Sequence, residues 1–159
     1  GNEQGFRYYD TWSGFNVPCD IVHAVLEDTD SLLPRERAFQ QVIAPALSVR
    51  RFYVVGTCGS VGLPHELSHG LYEMRPDYRA EVDQALAVIP PMLKRQMEQD
   101  LVGRGYARVE RILRDEIHAY LLEGHCLGCH LAETALHTHR LRSIFHNHAG
   151  DLGWHLLPG

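Results

Sequence analysis

His65-Glu66-Leu67-Ser68-His69 sets two imidazoles four residues apart, with a carboxylate directly after the first. On a helix, residues i and i+4 lie on one face a single turn apart, so both rings can reach one ion. Zn²⁺ favours nitrogen ligands of this kind, and a catalytic zinc site keeps one position open for water. Glu66 leans over the same place and is suited to accept a proton from that water as general base. Three fixed positions are a short pattern in a chain this rich in His and Glu, so its surroundings matter. Here the pattern follows a glycine-containing loop, sits just after Pro64, and shares its helix with the apolar stripe Leu63, Leu67, Leu71 and Met74.

A site of this type requires a third protein ligand. A histidine six residues beyond His69 is excluded, because position 75 is Arg and position 72 is Tyr. A later helix offers a carboxylate instead. Its apolar positions Val109, Ile112, Leu113, Ile117, Tyr120 and Leu121 follow the helical period, and Glu116 falls inside that stripe. A carboxylate facing a core is costly unless it is paired or binds a metal. The alternatives are therefore ligation by Glu116 or an ion pair with Arg111 or Arg114. Asp115, next to it, is placed to orient a histidine ligand from behind.

The first motif together with Asp115-Glu116-Ile117-His118-Ala119-Tyr120 resembles the gluzincin branch of the zincin-like metallopeptidases. The resemblance covers the two motif helices and the strand before them, and 46 residues (70–115) separate the motifs, more than in the simplest members. It implies zinc held by His65, His69 and Glu116, Glu66 as base, and a peptide or protein substrate laid along an upstream edge strand, here 52–56. It also implies a Tyr or His donating to the developing oxyanion. Tyr120 is the first candidate for that role, ahead of Tyr72 and His118. Two further readings stay open: a zincin fold acting on a non-peptide substrate, and a metal- or partner-binding module without turnover.

Cys126-Leu127-Gly128-Cys129-His130 spells the attachment pattern of c-type haem. A structural zinc bound by Cys126, Cys129 and two of His125, His130, His137 and His139 is a second reading, and an ordinary His-rich helix and turn is the expected one. His137, His139, His146 and His148 are expected on a solvated face, and Cys58 as a buried, inert thiol.

The elements that must position these groups can be read from proline, glycine and apolar spacing. Strands are predicted over 17–26 and 51–56. Helices are predicted over 35–43, with Pro34 in the first turn and Pro45 at the end, and over 64–74, 76–88, 92–102, 107–123 and 131–146, with Gly124 capping the fifth of these six. The expected class is α+β: a small N-terminal sheet followed by a mostly helical bundle carrying the metal motif, in one domain spanning 1–159. At 159 residues with 45% apolar and 22% charged side chains, the chain can bury a sizeable core unaided. Its net charge of −5 lacks the basic footprint of a nucleic-acid binder. No apolar run reaches membrane-spanning length. Four cysteines and an N-terminus without leader character give a cytoplasmic expectation.

Overall fold

Proline sets the start of four helices, because its fixed φ suits the first turn and its missing N–H is not needed there. The computed structural model describes residues 14–26, 32–58, 62–125 and 127–150. In chain order they form β1 (Gly14–Pro18), α1 (Cys19–Leu26), α2 (Pro34–Leu47), β2 (Tyr53–Thr57) and α3 (Leu63–Met74). The remainder is α4 (Pro76–Ala87), α5 (Pro91–Gly103), α6 (Glu110–Glu123) and α7 (Leu131–Ala149). The class is α+β and mostly helical, with one two-stranded antiparallel sheet among the described residues.

Two predicted boundaries are corrected. The strand expected over 17–26 stops at Pro18, and Cys19–Leu26 is helical. Its β-branched residues suggested a strand, but Val22 and Leu26, four apart, are the buried ones, whereas Ile21 and Val25 are exposed. Tertiary packing of one helical face overrides the weaker β-propensity. Pro45 does not end its helix, which runs on to Leu47. A proline in the last turn forfeits one hydrogen bond and leaves the turn otherwise intact. Elsewhere the helices lie within a few residues of their predicted limits. Gly124 caps α6 at φ 84°, a left-handed conformation that glycine adopts without steric cost.

The sheet has two differently occupied faces. In the register Asn16↔Val55, Val17↔Val54 and Pro18↔Tyr53, alternation puts Gly14, Asn16 and Tyr53 on one side and Val17 and Val54 on the other. The second side joins a small core of Val22, Leu26, Leu32 and Ile43 from the N-terminal helices and the segment between them. The first side lies on α3. Beyond it α3 packs on α4 and α6, and α6 packs on α5 and α7, enclosing the main core around Tyr78, Met97, Leu101, Ile117, Leu121 and Leu141. The stripe predicted on α6 is rotated: Val109 and Ile112 are exposed, and burial centres on Leu113, Ile117, His118 and Leu121.

The C-terminal end of α3 is fastened by arginines. Arg51 donates to the Glu73 carbonyl (2.8 Å), and Arg79 donates to the carbonyls of Tyr72 (2.7 Å) and Glu73 (2.9 Å). They satisfy end carbonyls that have no partner within the helix and complement its dipole. Among the described residues no helix is long and apolar enough to cross a membrane.

Leu121 is fully buried between α6 and its neighbours. Leu121→Ala is expected to cost about 2–5 kcal/mol, read as a lowered urea midpoint with an unchanged slope.

Candidate metal centre

Helix α3 supplies His65, Glu66 and His69, and α6 supplies Asp115, Glu116, Tyr120 and Glu123. Because the two helices pack directly, the predicted ligands meet. His65, His69 and Glu116 each offer an atom within 4.8 Å of the others. His65 Nε2 lies 3.7 Å from Glu116 Oε2, and His69 Nε2 lies 3.8 Å from Glu116 Oε1. The two rings sit 4.9 Å apart, inclined at 75°. Ligand atoms about 2.0–2.1 Å from a tetrahedral zinc stand roughly 3.3 Å from one another, so a small contraction would bring this set onto one ion.

The arginine alternative for Glu116 does not hold. Arg111 pairs with Glu73, and Arg114 bonds Glu110 (2.5 Å) and approaches Asp83 (3.4 Å). Glu116 Oε2 is instead buried without an aligned hydrogen-bond donor among the described residues. A carboxylate whose two oxygens each face an imidazole nitrogen, one of them orphaned, is a donor set that a cation would complete.

Each histidine is backed by a carboxylate on its other nitrogen. His69 Nδ1 is 2.9 Å from Asp115 Oδ1, and His65 Nδ1 is 3.4 Å from Glu123 Oε2. These carboxylates attract the Nδ1 side of each ring electrostatically, and both Nε2 atoms are turned towards Glu116. The Asp115 role was legible in the sequence. Glu123 was missed, although Glu116, Tyr120 and Glu123 stand at i, i+4 and i+7, which places all three on one face. Asp115 Oδ1 also lies 3.2 Å from His118 Nδ1; neither imidazole approaches it in good hydrogen-bond alignment, and their proximity compensates its charge electrostatically.

These charges shape the titration of the site. Burial pushes the His65 imidazole down, but the carboxylates of Glu116 and Glu123 outweigh it and raise the pKa to about 9. His69 is raised too: burial opposes protonation, and Asp115 followed by Glu116 reverses it. Asp115 is held well below the usual carboxylate range, burial being overcome by His118 and His69. His118, wholly buried, is driven down chiefly by desolvation despite Asp115.

Glu66 is buried on the sheet side of α3, where Asn16 donates to its Oε2 (2.5 Å). Tyr120 stacks edge-on against His65 with centroids 4.9 Å apart, and its hydroxyl is 3.1 Å from that of Tyr106. Tyr106 is a second hydroxyl at the site that sequence spacing did not expose, because it lies in the loop before α6. The two other oxyanion candidates are engaged elsewhere: Tyr72 donates to Asp83 (2.8 Å), and His118 meets Tyr78 (3.1 Å).

The Cys126 end of the haem-like pattern lies outside the described residues. Cys129 packs against the main core, and His130 precedes α7, where its backbone N–H donates to Glu133 (2.9 Å). Among the described residues His65, His69 and Glu116 form the one group of three or more side chains spaced for a metal. Two smaller expectations are corrected. Cys58 is exposed rather than buried, and His148 is buried against α4, 3.1 Å from Glu81, rather than solvated. Comparison with family models, with curated proteins and with solved structures found no match.

With His65 and His69 both raised above 6.5, metal must displace protons at neutral pH. Zinc uptake at pH 7.5 is expected to release about one proton or more per ion, measured by calorimetry in two buffers of different ionisation enthalpy. In the metal-free protein the raised His65 contributes stability that is complete below pH 6.5 and lost as the pH climbs through about 9. The melting temperature of the metal-free form is therefore expected to fall across that window, and a flat profile would contradict the assignment.

Proposed function

We propose that the chain is a zinc-dependent hydrolase of the gluzincin type, acting on a peptide or other amide bond. The observation that carries this reading is the convergence of both histidine Nε2 atoms on Glu116, whose Oε2 has no aligned donor of its own. Glu66 stands between the two histidines in sequence. A carboxylate at that position supports hydrolysis over metal binding alone, since it can serve as base.

Zinc held there would supply Lewis-acid polarisation of the scissile carbonyl and a water of lowered pKa. The chain's own groups do the rest. Asp115 and Glu123 hold the imidazoles with Nε2 towards the ion. Glu66 accepts a proton from the attacking water and returns it to the leaving amine. Tyr120, whose ring lies edge-on to His65 and whose hydroxyl has Tyr106 as hydrogen-bond partner, donates to the oxyanion as the carbonyl becomes tetrahedral, a contact of a few kcal/mol in comparable sites. Substrate would lie along the sheet beside Glu66.

Elemental analysis and turnover of a fluorescein-labelled casein test this together. Zinc near one per chain is expected for the native protein and for Glu66→Gln, with turnover in the variant reduced about a hundredfold or more. Full activity in Glu66→Gln would remove the base assignment. Undiminished zinc in His65→Ala or Glu116→Ala would remove the ligand assignment.

A further inference from the structure

The sheet touches α3 at the base rather than at the ligands. Tyr53 on β2 donates its hydroxyl to Asn16 Oδ1 (2.5 Å), and Asn16 on β1 donates from Nδ2 to Glu66 Oε2 (2.5 Å). The amide can face only one way here. Reversed, it would set its oxygen against the Glu66 carboxylate, two acceptors facing each other. Tyr53 stays protonated and able to donate: burial raises its pKa, and the charges of Asp115, Glu73, Glu66 and Glu116 add to the effect.

Two glycines allow this approach. A Cβ at Gly14 would stand 2.6 Å from Glu66 Cγ and 2.8 Å from its Oε1. A Cβ at Gly70 would stand 3.2 Å from the Tyr53 ring, one helical turn past Glu66. The strand backbone therefore lies directly over the Glu66 side chain, the Tyr53 ring lies over Gly70, and Oε1 faces a position with no side chain.

We propose that Asn16, oriented by Tyr53, is a positioning residue for Glu66, anchoring Oε2 and leaving Oε1 as the proton acceptor. This rests on the reading of Glu66 as general base. A freely rotating glutamate would sample several rotamers, of which only one presents an oxygen to the water. The hydrogen-bonded chain from β2 through β1 selects one and holds it without touching a metal ligand.

The test uses the full chain as Asn16→Ala and Tyr53→Phe, with Glu66→Gln as reference. Crystal structures report the Glu66 rotamer, Co²⁺ in place of zinc gives a visible band sensitive to the metal's surroundings, and labelled casein gives turnover. Both variants are expected to bind about one Co²⁺ per chain. In Asn16→Ala the Glu66 carboxylate is expected to leave its place and the Co²⁺ band to shift in the direction of Glu66→Gln. Its kcat is expected to fall about tenfold to a hundredfold with KM nearly unchanged. Tyr53→Phe is expected to give the smaller version of each change. A merely structural Asn16 would lower the melting temperature and leave the Glu66 rotamer, the band and the kcat-to-KM split as in the native protein, and that result overturns the proposal. If Asn16→Ala does not fold, Tyr53→Phe decides: an unmoved Glu66 and an unchanged kcat count against it. A native protein that takes up no Co²⁺ overturns the zinc reading instead, and the Glu66 rotamer in the metal-free variants still decides the positioning role. If native protein binds Co²⁺ but leaves casein intact, the rotamer and the band decide.

Discussion

The packing of α3 against α6 brings a set of carboxylates under cover that would otherwise stay in water. Asp115, Glu116 and Glu123 all lean towards His65 and His69, and burying three negative charges around two imidazoles is tolerable only if positive charge accompanies them. Without metal, protons on the raised histidines supply it. With metal, the ion does. This exchange would make the helix pair both a structural contact and, on the proposed reading, a site, since the groups that must be neutralised for the helices to meet are those gathered between them.

The remaining architecture holds that pair in register. The arginines at the end of α3, the break at Arg75 and the fully buried residues of α4, α6 and α7 fix the axis of the motif helix relative to α6. On the other side of α3 the two-stranded sheet lies over Glu66 and Gly70. His65 and His69 on the one hand and Glu66 on the other thus answer to different neighbours, the former to α6 and the latter to the sheet. The i, i+4 spacing of the histidines and the i+1 placement of Glu66 already imply this division, since adjacent residues on a helix stand about a hundred degrees apart.

Most of the helical frame was legible in the sequence because proline and glycine mark its breaks at Pro64, Pro76, Pro91 and Gly124. The grouping of His65, His69 and Glu116 was legible for a different reason: a glutamate in an apolar stripe conflicts with burial, and that conflict points to a partner. Three features were not readable. The segment after Pro18 carries β-branched residues, and only its packing against the N-terminal core shows which period governs. Glu123 lies past the quoted motif and needed its face, not its neighbours, to be considered. Asn16 could not be seen at all, because its strand had been placed three residues too late and its significance depends on register with Tyr53. Local signals mark elements; contacts between distant strands and a helix require the assembled fold.

The small N-terminal core has a thermodynamic consequence. Among the described residues its buried members are Val22, Leu26, Leu32 and Ile43, whereas α3 and α6 are anchored in the larger helical core. Local opening of a small cluster requires less free energy than global unfolding. Opening of the sheet from α3 therefore requires less free energy than separating His65, His69 and Glu116, so such an excursion would free Glu66 from Asn16 before it disturbed the trio. On the proposed reading, metal occupancy and competence for proton transfer would be thermally separable, with the first outlasting the second on warming.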